Sequence, residues 1–455
     1  MKAHPASTTT RAGLPLHFPR GEGSVYWLRI TFSTLAPLLA CSLVTAADLP
    51  ELTLQQAHET ALRNHPRIRV ADLKALAARQ VTREVRSAFF PNLSANVVAV
   101  GTADDNTRLA AVGGLNNPSI FDRNAEGLVL SQLITDFGRT ANLTGSAKLH
   151  AQAEENNAEA TREQILLSVD AAFYAAQEAQ SVSRVAEQTI STRQSFLDQV
   201  TALASNKLRS ELDVSFASVN LGEGKLLLSK AQNDLQAAFA QLSTFMGRRD
   251  PAVWHLMEEP LPAEVSTNVS QFVEQALEQR PELLSLRRER EAAAKFARAE
   301  RALRYPAISA VGSAGVVPIR DPQLPDNYAA AGLILNLPLL SGGLYSARQK
   351  EAELRAQAAL ENLRELENNV VRDVHIAWLN AQNSLERLHI TAQLLQNAAR
   401  SLDLAQARYN NGISSIVELN QAQLNQISAE IAYANTKYEY LLQRSALNYQ
   451  VGALR

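Results

Sequence analysis

Hydrophobic positions along the chain are spaced in two ways: every three or four residues over long stretches, and every second residue over short ones. The longest helical stretches, residues 139–203 and 344–409, contain no proline and few glycines. At 1.5 Å per residue, about 65 residues would span roughly 95–100 Å. Each stretch ends in a short polar turn and is followed by a second helical pattern, which predicts two long helical hairpins.

Alternation of polar and apolar residues begins at Asn92 and again near residue 307, which is the spacing of a strand. Phe90-Pro91 and Tyr305-Pro306 precede the two alternating segments, and proline both ends a helix and favours extended backbone before it. We therefore predict one β-hairpin over about 92–134 and another over about 307–340. Strands of about ten residues have the length of a tilted strand that crosses a membrane.

The two halves of the chain match each other. With an offset of 205 residues, Gly127-Leu128-Val129-Leu130 aligns with Gly332-Leu333-Ile334-Leu335, and further upstream an offset of 215 aligns Pro66 with Pro281. A unit of about 200 residues is far longer than a solenoid repeat. The chain is thus expected to be two fused copies of one unit. We divide it into a signal segment (1–47), a first repeat (48–247), a linker (248–268) and a second repeat (269–455).

The N-terminal segment resembles an export signal. Basic residues precede an apolar run over Ile30–Ala40, which is too short to span a bilayer, and Val44-Thr45-Ala46-Ala47 offers a cleavage site. Cys41, the only cysteine, has two interpretations: part of a discarded signal, or the acylated first residue of a lipoprotein. The unusual Leu39 in the lipoprotein motif favours the first. After residue 47, no stretch approaches 18 apolar residues.

Composition adds little beyond this. The net charge of −2 and a pI near 6.5 give no electrostatic reason to expect nucleic acid as a partner. Aromatic residues make up 6% of the 455 residues, and the abundance of alanine, leucine, glutamine, glutamate and arginine suits long helices.

Two strand pairs carried on long helical hairpins, behind a signal, resemble the outer-membrane efflux protein family, the TolC-like channel-tunnels. The resemblance covers about residues 50–455. It is carried by the duplicated Ala-Leu-x-x-x-Pro and aromatic-Pro motifs, by Leu133–Gly138, and by the segment Tyr409–Gln423. It implies a mostly α fold whose long hairpins form a periplasmic α-barrel, with four strands per chain closing a 12-stranded β-barrel in a homotrimer.

The family also implies function and partners. Such proteins are passive, gated exit ducts of tripartite efflux or type I secretion systems in the Gram-negative outer membrane. They contact outer-membrane lipid, a periplasmic adaptor and an inner-membrane pump of the RND, ABC or MFS type. Their gate lies at the second-repeat tip, which by resemblance places it at Tyr409, Ser414, Glu418 and Gln421. Ser414 and Gln421 depart from relatives that carry arginine and an acid there.

Further tip residues follow from the repeat. Asp213 is the first-repeat equivalent of Glu418 and is either a tip residue or part of a solvated helix face. Asn206, Lys207, Asn411 and Gly412 mark the two turns where an adaptor is expected to dock. Tyr409 and Glu418 are equally compatible with ordinary positions on a helix surface.

Catalytic, cofactor and metal motifs are not found in the sequence. It has no phosphate-binding Gly-x-x-x-x-Gly-Lys-Ser/Thr, and His58-Glu59 lacks the second histidine of a zinc helix. We therefore expect neither an enzyme nor a cofactor. The main alternative is a periplasmic coiled-coil adaptor, which also has long helical hairpins but lacks a duplicated strand pair. An exported hydrolase would need a nucleophile constellation, and the sequence shows none.

Overall fold

The computed structural model describes residues 50–100, 123–319 and 325–454, so the predicted signal segment and Cys41 lie outside the described residues. The chain is mostly helical, and both repeats have the same order of elements. The first comprises β1 (Glu51–Leu52), α1 (Leu54–Asn64), α2 (Pro66–Ser87), β2 (Asn92–Val100), β3 (Arg123–Thr135), α3 (Arg139–Ser205) and α4 (Glu211–Phe245). The linker and second repeat comprise β4 (His255–Leu256), α5 (Val269–Gln279), α6 (Pro281–Arg301), β5 (Ala307–Ile319), β6 (Asn327–Asn336), α7 (Leu344–Asn410) and α8 (Ile416–Gln450).

The duplication seen in the sequence extends to the lengths of the helices. α1 and α5 each have 11 residues, α3 and α7 each have 67, and α4 and α8 each have 35. The hairpins also share one register, since Asn92 pairs with Ser131 and the equivalent Ala307 pairs with Asn336. The two repeats are therefore equivalent residue by residue in the strands.

Local sequence explains where the helices begin. Thr53 forms a capping box with Gln56 at the start of α1, which pairs two backbone N–H groups that the helix leaves free. Pro66 and Pro281 are the first residues of α2 and α6, where a missing N–H costs nothing. Both prolines therefore mark the start of a helix.

The helices pack along α3 in two zones. Near the sheet, α2 and α6 lie along α3, where Thr82 donates to the carbonyl of Ala147 and Ser146 donates to that of Ala292. Towards the tip, α4 returns along the other half of α3. At 67 residues α3 is about 100 Å long, so different shorter helices cover its two halves.

A core lies midway along the long helices, where α1, α3, α4 and the β1–β4 pair meet around Phe173, Leu242 and Trp254. Gly247 follows α4 with φ +74°, and a Cβ there would lie 2.7 Å from the backbone of Asn64. The equivalent Gly452 follows α8 with φ +72°, and a Cβ there would lie 3.0 Å from the backbone of Arg280. Only glycine combines this backbone angle with this approach, so both repeats end with the same tight junction.

The larger sheet has the antiparallel order β2-β3-β5-β6, which leaves one edge of β2 and one edge of β6 unpaired within the chain. Its register separates two faces. One face is mainly apolar and includes Leu93, Val97, Leu128, Leu130, Leu333 and Leu335. The other is rich in small polar residues and includes Asn92, Ser94, Asn96, Ser131, Ser309 and Ser313.

One boundary differs from the expectation. The second hairpin ends at Asn336 instead of residue 340, and Pro338, which follows, has no N–H to continue a strand ladder. None of the helices in the described part of the chain has an apolar stretch of membrane-spanning length.

Candidate gate at the helical tips

The two helical hairpins turn with the same backbone motif. Lys207 and Gly412 have left-handed backbones, with φ of 58° and 70°. At the first turn, the N–H of Leu208 bonds to the carbonyl of Leu203, and at the second, that of Ile413 bonds to Arg408, both at 2.9 Å. This is the Schellman arrangement that ends many helices. The left-handed position is filled by glycine in the second turn and by a strained lysine in the first.

Tyr409 is buried between the two hairpins, with 3% of its surface exposed. Its ring lies 5.7 Å from that of Phe196 on α3, and Val200, Ile416 and Leu419 complete the cluster around it. The sequence is compatible with Tyr409 as an ordinary residue of a helix surface. The burial of Tyr409 excludes that interpretation. The cluster joins the tip of the first hairpin to the tip of the second.

Arg209 holds Tyr409 from the first turn. Its guanidinium carbon lies 4.2 Å from the centre of the Tyr409 ring, a cation–π distance, and its Nη2 donates to the Tyr409 carbonyl at 3.0 Å. We call this pair the tip latch. Arg209 was not predicted from the sequence, although the sequence carries a signal for it. With the 205-residue offset, Arg209 is the equivalent of Ser414, a position where some relatives carry arginine.

The Tyr409 hydroxyl does not take part in the latch. It is buried and has no hydrogen-bond partner within the described residues. Burial raises the pKa of the Tyr409 phenol above its usual value near 10, with the Arg209 cation opposing the rise and the Asp213 carboxylate adding to it. The ring and the backbone carbonyl of Tyr409 therefore connect the tips, and the phenol stays neutral.

The other predicted gate residues lie at the same tip with different contacts. Glu418 is about half exposed and its Oε1 lies 3.2 Å from Nε of Arg408, on the same hairpin. Gln421 is exposed and donates to Asn425 at 2.9 Å. Ser414 is partly buried, and its hydroxyl has no partner in the described part of the structure. These three are near the latch without bridging the hairpins.

Asp213 has a local task. It forms a capping box with Ser210 at the start of α4, in which the Asp213 N–H donates to the Ser210 hydroxyl at 3.2 Å. The equivalent Ser415 makes no such side-chain bond, so Glu418 is left free to pair with Arg408. Equivalent acids therefore do different work in the two turns.

The predicted docking residues are on the outside of the turns. Asn206, Lys207, Asn411 and Gly412 are all exposed. Beside them project two apolar side chains that sequence analysis did not single out, Leu208 and Ile413, which are 70% and 67% exposed. They occupy equivalent positions, and Leu212 and Val417, four residues further on and also equivalent, are 63% and 59% exposed. Each tip therefore presents exposed aliphatic side chains among polar groups.

Within the described residues, no group of histidine, cysteine or acidic side chains is arranged to hold a metal ion. The tips instead offer a noncovalent contact between the two hairpins, in which the Arg209 cation holds the ring and the carbonyl of Tyr409. Such contacts can be made and broken without covalent change.

Comparison with known proteins identifies the family. The sequence profile of the outer membrane efflux protein family matches residues 57–248 and 272–453, one match for each repeat. The chain belongs to the outer membrane efflux protein family. It is therefore an outer-membrane efflux channel of the kind found in tripartite systems, with its helical part on the periplasmic side. The adaptor alternative is not supported.

Individual relatives agree with this membership. TolC of Escherichia coli K12 is 23% identical over 416 residues, covering 88% of this chain and 82% of TolC. OprJ of Pseudomonas aeruginosa PAO1 is 26% identical over 390 residues, covering 84% and 80%. The solved structure of VceC from Vibrio cholerae superposes with a TM-score of 0.72 at 20% identity, covering 88% of this efflux protein and 96% of VceC. The resemblance stated from the sequence is confirmed.

Proposed function

We propose that this efflux protein is a homotrimeric, gated exit duct that works by passive diffusion, without catalysis or an energy source of its own. The observation that carries the proposal is the pair of unpaired sheet edges at β2 and β6. Open edges are not tolerated in lipid, because their N–H and C=O groups would have no partner. Joining β6 of one copy to β2 of the next, three times, closes a barrel of twelve strands.

The internal duplication predicts which residues lie opposite each other where β6 of one copy meets β2 of the next. Within the chain, Leu130 on β3 pairs with Gly312 on β5. The second-repeat equivalent of Leu130 is Leu335, and the first-repeat equivalent of Gly312 is Val97. We therefore expect Leu335 of one copy to lie opposite Val97 of its neighbour, with the apolar face of the sheet towards lipid and the polar face towards the pore.

The long helices support the same assembly. Tyr174 and Thr189 on α3 are buried, at 5% and 7% exposure, where α3 packs within the chain. Their α7 equivalents, Leu379 and Leu394, are 55% and 50% exposed. Within the described residues, α3 packs extensively against α8 and α6 of the same chain, whereas α7 has no comparably extensive packing against α4 or α2. We infer that the apolar stripe on α7 packs against α4 and α2 of a neighbouring copy.

At the tips, the latch between Arg209 and Tyr409 would hold the duct closed, and its release would let the hairpins part. Glu418 would add acidic charge to the constriction, since three copies form a carboxylate ring that favours cations. Ser414 and Gln421 would line the same constriction. The exposed turns, with Leu208 and Ile413 at their centres, are the surfaces we assign to a periplasmic adaptor, which links the duct to an inner-membrane pump.

Cysteine crosslinking tests the assembly. The double variant Val97→Cys/Leu335→Cys should form a disulfide-linked trimer in outer-membrane preparations, seen on non-reducing gels and lost with reductant. Leu93→Cys/Leu335→Cys is the matched control, because Leu93 lies on the same face but four residues away, about 13 Å along the strand. Equal crosslinking of both variants, or none in either, would contradict the junction.

A further inference from the structure

The returning helix of the first hairpin contains two glycines that its counterpart lacks. Gly222 and Gly224 lie inside α4, and their equivalents in α8 are Ile427 and Ala429. Glycine in a helix interior is less stable than alanine because it loses more backbone freedom on folding. Two glycines within three residues therefore make this part of α4 weaker than the same part of α8.

Packing does not explain the first of these glycines. Gly222 is exposed, and a Cβ at this position would meet no atom within 4 Å. Gly224 is buried, and a Cβ there would make ordinary contacts at 3.4 Å from Ile190 and 3.6 Å from Arg193. Alanine would fit at both positions, so the glycines are not required for space.

A buried arginine lies against the same turn of α4. Arg193 on α3 is 5% exposed, and its Nη1 donates to the carbonyl oxygen of Asn220. In an α-helix that carbonyl also accepts the N–H of Gly224, four residues on. Helices bend where glycines occur and where a side chain enters the backbone hydrogen-bond ladder. This turn has the glycines, and Arg193 shares the acceptor of one ladder bond. The equivalent of Arg193 in α7 is Ala398, so the second hairpin has neither.

We propose that Gly222, Gly224 and Arg193 form a hinge in the first hairpin, about which the tip segment 211–221 bends. Arg193 keeps the Asn220 carbonyl paired when the ladder bond from Gly224 opens, so bending leaves no unpaired buried acceptor. The hinge lies roughly 17 Å from the start of α4, and the turn beyond it carries Arg209. Bending would carry Arg209 away from Tyr409, so the inference rests on the proposed gate.

Hydrogen exchange tests the hinge itself, using the purified full-length trimer in detergent. Amides of residues 218–228 should exchange faster than those of residues 423–433 in α8. Gly222→Ala should slow exchange in α4 by about two- to fivefold, the range expected from replacing glycine by alanine in a helix. Lys225→Ala, an exposed position three residues away that is already a good helix former, should leave exchange unchanged. Equal exchange in α4 and α8 of the wild type would overturn the hinge.

Single-channel recording separates the hinge from the gate. If the gate proposal holds, Arg209→Ala increases the open time of the channel. Adding Gly222→Ala and Gly224→Ala to that variant should then reduce the open time by about fivefold. An open time unchanged by the two alanines would overturn the hinge and leave the gate standing. If Arg209→Ala alone has no effect, the gate proposal fails, and the exchange comparison still decides whether α4 bends.

Discussion

Removal of Arg209 is the sharpest perturbation of the closed tip, because one side chain makes two separate contacts with Tyr409. Its guanidinium stacks on the ring at 4.2 Å and donates to the backbone carbonyl at 3.0 Å. Arg209→Ala removes both contacts without disturbing the first turn, whose backbone bonds are made by Lys207 and Leu208.

The size of the effect follows from the partial exposure of Arg209. A cation–π contact contributes about 0.5–1 kcal/mol when exposed and about 2 kcal/mol when desolvated, and a typical hydrogen bond adds about 1 kcal/mol. Water competes for a half-exposed guanidinium, so we expect a loss of about 1–2 kcal/mol per protomer. That changes the balance between closed and open tips by a factor of about 5–30 for each pair of hairpins.

The assay is single-channel conductance of the purified protein in planar bilayers. Arg209→Ala should show longer or more frequent open states than the wild type. Lys207→Ala is the matched control, because it removes an exposed cation from the same turn that makes no contact with Tyr409. Arg209→Lys should behave between the two, since lysine keeps the charge but not the planar stacking.

An intact trimer of Arg209→Ala that conducts like the wild type would refute the latch. In that case, the apolar cluster around Phe196 and Tyr409 would have to hold the tips together without help from the cation. Comparable opening in Lys207→Ala would also refute the latch. It would show that the positive charge of the tip controls opening and that the contact between Arg209 and Tyr409 does not.

Two further pairs of substitutions each test a single feature. Tyr409→Phe should conduct like the wild type, because the hydroxyl has no partner in the described structure, whereas Tyr409→Ala should open the tip. If Tyr409→Phe also opens the tip, the hydroxyl has a partner in the assembly. Gly247→Ala should lower the guanidinium midpoint of unfolding by more than Gly412→Ala. Both glycines have positive φ, which costs about 1–2 kcal/mol for alanine, but only the Cβ at 247 meets backbone. Equal midpoints would count against the tight junction.

Most of the fold could be predicted because its signals are local. Proline before the first strand of each hairpin, proline at the start of α2 and α6, and the absence of proline from 67-residue helices each act within a few residues. The end of β6 was missed because hydrophobic residues continue to Leu340, while the hydrogen-bond ladder stops before Pro338. Hydrophobicity indicates what can be buried or face lipid, and backbone pairing decides where a strand ends.

The tip contacts were harder to predict because they join residues far apart in the chain. Arg209 and Tyr409 are 200 positions apart, and only the folding of two separate hairpins brings them together. Arg408 and Glu418 pair across a turn, so they do not have the three- or four-residue spacing that indicates an ion pair on one helix. The sequence located the region of the proposed gate, and side-chain geometry was needed to find the contact that we propose closes it.

Comparison of the two repeats with each other distinguishes structural from functional positions. Where they agree, as at Gly247 and Gly452, the residues make the same junction in both. Where they differ, as at Arg209 and Ser414 or Gly222 and Ile427, the residues include those that we assign to the latch and the hinge. A ring of six identical hairpins would have to open as one. In the proposed trimer, three hairpins that bend would alternate with three that do not, so the tip would open while half of its helices keep their packing.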